Sequence, residues 1–455
     1  MYGEEETELF KMKTDLLRGP ILKSLLVFAA PMLLSNVFQQ LYSTVDMMIV
    51  GHVLGEASLA AIGASGVIFE LLVGFALGVG GGFGIVVARS AGAGDAGLLK
   101  RAVAGAVIQG FALVAVISVA ASLFMRPLLR LLDTPVAIID EAYSYISVLI
   151  AFAAVLFLYN LCAGLLRAVG NSTAPLMFLI LSSILNIGLD FLFITVWHMG
   201  VRGAAMGTVA AQGVSAALCL IYIAKKCPEL VPRREHFRID LKLYKELAAQ
   251  GFSMGFMMSI VTVGSVILQR SINGLGTLVI AGHVAARRFN SFCLLPIVAI
   301  ALALSTFVSQ NKGADRPDRI RKAVRYGNLI ALGWGISVSV LLLFSSAFLI
   351  RLLSGSDESV IIENGSRYLT VNAPFYVVLG VLLNLRFALQ GIGRKVVPVV
   401  SSVIELIGKT VFAFLLVPAL GYFGVILCEP VIWICLCLQL LYAFYTNPYI
   451  RGQTA

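Results

Sequence analysis

Lys100-Arg-Ala-Val103 is echoed by Arg321-Lys-Ala-Val324, and Arg130-Leu-Leu132 by Arg351-Leu-Leu353, both at an offset of 221 residues. The same offset pairs Leu54-Gly55 with Leu275-Gly276 and Gly92 with Gly313. It drifts by up to three residues to align Asn160-Leu161 with Asn384-Leu385, then returns through Pro175 and Pro398 to Gly200-x-x-Gly203 and Gly421-x-x-Gly424. Drift followed by recovery is the mark of short loop insertions in a duplicated unit. Whatever this chain folds into, it forms twice.

The repeated unit is too apolar for water. The chain is 59% hydrophobic and 13% charged, with a mean hydropathy of +0.94, outside the range of soluble domains. A hydrocarbon core about 30 Å thick needs about 20 apolar residues per helix. Twelve segments qualify, near residues 21–50, 58–88, 102–125, 140–165, 173–197 and 203–224, then 248–272, 278–309, 323–349, 366–391, 397–418 and 424–446. The expected fold is an all-α polytopic membrane protein with twelve transmembrane helices in two six-helix lobes. An even number of spans separates the copies, so both cross the membrane in the same direction, related by a pseudo-twofold axis along the membrane normal around a V-shaped central cavity. The N-lobe covers 1–224, a polar cytoplasmic linker 225–247 and the C-lobe 248–455.

The net charge of +10 follows this topology and gives no reason to expect nucleic acid. With a cytoplasmic N-terminus, most of the 34 Lys and Arg residues fall on inner segments, and the outer loops hold only Arg126, Arg130, Arg202, Arg270, Arg351 and Arg367. That asymmetry satisfies the positive-inside rule and places both termini in the cytoplasm. Met1–Glu6 is acidic and the first apolar run is too long for a signal peptide, so the first helix is expected to stay. The seven cysteines contain no CxxC pair and read as packing residues. Gly74-x-x-x-Gly78-x-x-x-Gly82 lacks the Lys-Ser/Thr ending of a phosphate loop and reads as a close helix-packing surface.

Charges at bilayer depth carry the functional signal, because each costs at least about 2.5 kcal/mol on insertion scales and needs a partner, a proton or a task. The first half holds Asp46, Glu70 and Asp190. Asp190 follows Asn186 at i+4, so both share one helix face, and Thr208 in the next span comes near their level. A carboxylate, an amide oxygen and a hydroxyl are hard donors that suit sodium, while a buried carboxyl also carries a proton. A purely structural role for Asp190 is the alternative. At the repeat offset Asp46 corresponds to Ile267, Glu70 to Ser291 and Thr208 to Glu429, so coupling is expected in the first half alone. The second half offers Glu405 and Lys409, an i,i+4 pair able to neutralise itself. Glu70 is either a functional acid or a partner for Arg287 or Arg288, and Arg386 is similarly ambiguous.

Pro31 removes a hydrogen bond inside the first span and is a candidate hinge. Phe38, Gln39 and Tyr42 lie on the turns before Asp46 and suit a flat lipophilic cation. His52, His198, His236 and His283 show no ligand spacing, which argues against a histidine metal site. No nucleophile with a base stands in the spans, so there is no catalytic residue to name and an intramembrane enzyme is disfavoured.

Pro31 fifteen residues before Asp46, Gly92-Ala-Gly-Asp95 with its echo Gly313-Ala-Asp315, Arg167-Ala-Val-Gly170-Asn-Ser-Thr-Ala-Pro175, Asn186-x-x-x-Asp190 and Gly200-Val-Arg-Gly203-Ala-Ala occur in this order across nearly the whole chain. Together they resemble the multidrug and toxic compound extrusion (MATE) family, bacterial type. The resemblance implies an antiporter that exports amphipathic organic cations in exchange for protons or sodium, with no further cofactor. It implies a monomer in the bilayer of the bacterial cytoplasmic membrane. It also implies a cation site at Asp46, Asn186, Asp190 and Thr208, a moving Pro31, and a substrate cavity touching Gln39, Tyr42 and Asn160. Some members add a glutamate in the seventh helix and an aspartate in the tenth. Here residues 248–272 contain no acid and the tenth span offers Asn384 and Arg386, while Glu405 and Lys409 resemble a feature of some bacterial members. The alternative on the same fold is an exporter or flippase of lipid-linked or polar metabolites. An anionic head would want a basic cavity, for which Arg287, Arg288 and Arg386 leave room.

Overall fold

With no water in the bilayer core to satisfy N–H and C=O groups, a spanning chain must bond its backbone internally, and helices do so within one segment. The computed structural model describes residues 13–131 and 134–452, so Met1–Glu6 lies outside the described residues. Among these the chain is helical, with no strand. The first half contains α1 (Ile21–Leu54), α2 (Glu56–Gly92), α3 (Ala96–Leu131), α4 (Ile139–Ala151), α5 (Ala153–Ala168), α6 (Thr173–Asp190) and α7 (Val201–Lys226). The second contains α8 (Leu241–Asn273), α9 (Thr277–Gly313), α10 (Pro317–Ser354), α11 (Ser359–Asn372), α12 (Tyr376–Gly391), α13 (Val396–Val411), the short α14 (Val417–Leu420), α15 (Tyr422–Tyr445) and the short α16 (Pro448–Arg451).

Eleven of these stretches are long and apolar enough to span a membrane, and α4 with α5, bent by 51°, supplies the twelfth. The twelve expected spans are therefore present. The bend sits at Phe152, and the corresponding span breaks between α11 and α12 at Ala373–Phe375. From 152 to 373 is again 221. The echo recurs after α6 and α13, where π-helical segments begin at Phe191 and Phe412. Pro374 explains the later break; the earlier one has no proline to announce it. Large apolar side chains stand exposed in the spans, among them Val116, Leu123 and Phe124 on α3 and Leu341, Phe344 and Phe348 on α10. In water such surfaces would aggregate; in a bilayer they face lipid.

The chain forms two compact units. The first comprises the described residues through Arg18 and Ala30–Ser259; the second comprises Gly19–Ala29 and Ile260 onward. Two helices therefore contribute to both. α1 passes from one to the other immediately before Pro31, and it runs unbroken through that proline. α8 begins at Leu241, inside the stretch read as linker, because the amphipathic run Leu241–Leu247 is already helix. Leu243 and Leu247 are buried in the first unit's core with Phe83 and Phe157. Arg89 pairs with Glu246, and Gln109 Nε2 donates to Tyr244 O at 2.9 Å.

The glycine ladder explains why α2 and α8 approach so closely. A Cβ on Gly78 would stand 2.8 Å from Gly255 Cα, and one on Gly82 2.6 Å from Gly251 Cα. Gly74 has nothing within 4 Å, so two of the three glycines serve the expected packing surface. The seven cysteines are free, and all but Cys435 are buried.

Candidate cation site in the first unit

The buried face of α6 repeats at helical spacing through Leu179, Ser182, Ser183, Asn186 and Asp190. Asn186 is 3% exposed and Asp190 fully buried. Asp190 ends the regular helix, and the π-helical turn starts at the next residue; such departures concentrate at functional positions. Against it runs α7. Gly207 has no side chain to spare, since a Cβ there would collide with Asp190 Oδ1. The α7 backbone can thus meet the carboxyl group directly, which brings the neighbouring Thr208 to the same place.

A narrow cleft is lined by Tyr42 from α1, Ser182, Ser183 and Asn186 from α6, and Thr208 and Gln212 from α7. The carboxyl group of Asp46, on α1, lies close enough to that of Asp190 for the two to interact. The structure thus brings together Asp46, Asn186, Asp190, Thr208 and Tyr42. Gln39 is exposed but interacts with Tyr42. Asn160 turns its amide back on its own helix, donating to Leu156 O at 2.8 Å, and neither Gln39 nor Asn160 is among the cleft's lining residues.

The polar atoms here are under-satisfied. Asp46 Oδ1, both carboxylate oxygens of Asp190 and both amide atoms of Asn186 are buried without a hydrogen-bond partner among the described residues. An unmade hydrogen bond at a buried polar atom costs about 1–3 kcal/mol, so such a cluster persists where a ligand or proton completes it. Carboxylate, amide and hydroxyl oxygens are the donor set of a hard cation and fit sodium or a proton equally. Two residues escaped the sequence reading. Gln212 lies at i+4 from Thr208 and was findable by spacing. Tyr145, on α4, lies within electrostatic range of both acids, and nothing in its local sequence signals that.

The second unit is built otherwise. Glu405 accepts from Lys409 at 3.0 Å and also from Arg386 at 3.2 Å, so the expected self-neutralising pair is a trio. Arg287 does not serve Glu70; it bonds Glu429 at 2.7 Å, whose other oxygen accepts from Tyr368 at 2.8 Å. Glu70 itself is exposed. Glu429 entered the sequence reading only as the counterpart of Thr208, and its partners, far apart in sequence, were invisible.

The MatE family model matches residues 31–192 and 254–415, one copy in each half. The chain belongs to the MatE family. The motif resemblance is thereby confirmed, and the protein is a multi-pass membrane transporter of the multidrug and toxic compound extrusion type, handling small molecules, and no enzyme. The probable multidrug resistance protein YpnP of Bacillus subtilis (strain 168) is 30% identical over 84% of each chain. The FAD transporter of Shewanella oneidensis is 27% identical over 92% of this MATE chain and 94% of its own. A crystal structure of MATE in the bent conformation shares the fold with a TM-score of 0.89 at 22% identity, covering 97% of this chain and 98% of that one.

Proposed function

We propose that this MATE protein is a secondary antiporter that exports amphipathic organic cations in exchange for protons or sodium by alternating access. The observation that carries this reading is the set of unsatisfied buried oxygens on Asp46, Asn186 and Asp190. Two neighbouring carboxyl groups in a low-dielectric site resist holding two negative charges. A bound organic cation relieves them, and so does a proton or a sodium ion, so the two loads compete. The cycle turns because each load favours a different conformation. Pro31, immediately after the point where α1 changes unit, is the hinge in this scheme. The chain acts as a monomer in the bacterial cytoplasmic membrane with both termini inside.

The name of YpnP supports drug efflux; that of the Shewanella relative supports the second reading, export of a polar metabolite. Efflux of a fluorescent lipophilic cation from proteoliposomes, with a pH or a sodium gradient imposed separately, separates them. One gradient is expected to drive the wild type and to fail with Asp46→Asn. Efflux indifferent to both gradients, or coupling retained in the variant, removes the proposal.

A further inference from the structure

A small cavity of about 60 Å³, room for a group the size of a carboxylate, lies within the second unit, lined by Ser265, Gln269, His283, Arg287, Lys409 and Glu429 among others. Its charges do not balance. Glu429 is matched by Arg287 and Glu405 by Arg386. Lys409 then remains as a third base over two acids. It is only 7% exposed, it shares Glu405 with Arg386, and its ammonium donates to Ser265 Oγ at 3.0 Å. A buried surplus charge is costly, and an ammonium has three donors, of which Glu405 and Ser265 take two. Arg287 contributes too: one Nη is given to Glu429, while 44% of its side chain stays accessible.

We infer that this cavity binds a singly charged anionic group, such as a carboxylate, carried by the cargo, with Lys409 as its counter-ion and Gln269 and Arg287 as further donors. A single surplus positive charge matches a monoanion, whereas a dianionic phosphate would reverse the imbalance. That the group is carried on a cargo rests on the export function proposed above; anion binding itself does not.

Tetramethylrhodamine and its methyl ester isolate the question, because they differ only in carrying a free carboxylate or a masked one. Their binding to the full-length protein in nanodiscs is read by fluorescence polarisation. Lys409→Gln leaves two neutral pairs behind and is expected to fold. It should lower the ratio of acid to ester affinity about tenfold or more, and Lys409→Arg should restore the ratio. In the wild type, benzoate should displace the acid and leave the ester bound. An unchanged ratio in Lys409→Gln, or benzoate displacing both probes or neither, overturns the inference. Gradient-driven efflux of the ester tests the export reading alone, so the two fail separately.

Discussion

The two units share their architecture down to the bend and the π-helical turn at the same offset, yet they treat buried charge in opposite ways. In the first, Asp46 and Asp190 adjoin each other, and Asp46 Oδ1 and both carboxylate oxygens of Asp190 lack hydrogen-bond partners among the described residues. In the second, Glu405 and Glu429 are each held by at least two donors. Since one scaffold tolerates both, the fold requires neither. An acid with its partners in place is at rest, and removing it damages structure. An acid without partners waits for a ligand, and removing it damages function.

Substitution of the unpaired acid should produce the largest functional effect. Asp190→Asn is expected to lower ion-driven efflux about tenfold or more, as loss of an essential charge-assisted contact would. Its melting temperature in nanodiscs should stay level or rise, because the isosteric amide removes a charge that repels Asp46. A fall of several degrees with transport intact would erase the contrast between the units.

The paired acid should behave in reverse. Glu405→Gln strands Arg386 and Lys409 as buried like charges and is expected to cost about 3–5 kcal/mol, read as a lowered unfolding midpoint. Adding Lys409→Gln to it should recover part of the loss by removing one of the stranded charges. If Glu405→Gln melts like the wild type, the trio is not holding the second unit together.

How much of this could be read in advance divides along physical lines. The repeat, the spans and the face shared by Asn186 and Asp190 were legible because they depend on periodicity along one helix. So was Thr208, about two turns into the helix that follows Asp190. The partners of Glu429 were not, because Arg287 and Tyr368 reach it across long stretches of sequence and only packing selects them. That α8 begins at Leu241, ahead of the apolar span expected from 248, has a related cause. Leu241–Leu247 is amphipathic and reads as a surface run, but its apolar side finds the first unit's core, and that burial extends the helix.

A milder test separates positioning from chemistry. Gly207→Ala places a methyl group against Asp190 Oδ1 and should cost about 1–3 kcal/mol as overpacking. Efflux should fall while Asp46 and Asp190 remain. If efflux stays at the wild-type level while the methyl group is accommodated, close approach of α7 is not what positions the carboxyl group.

The smallest effects fall on the glycine ladder of α2, where neighbouring glycines should differ in sign. At Gly82 an added Cβ meets the backbone of α8, with Gln250 O at 2.5 Å and Gly251 Cα at 2.6 Å. Backbone cannot rotate away as a side chain can, so the helices must part, and Gly82→Ala should cost about 1–3 kcal/mol. At Gly74 the same methyl group meets nothing within 4 Å. There the only change is a better helix former in place of glycine, worth about 0.5–1 kcal/mol, so Gly74→Ala should be neutral or slightly stabilising in a thermal melt. Equal destabilisation by both would mean that the ladder acts through helix flexibility; a loss confined to Gly82 ties it to the seating of α8 on the first unit.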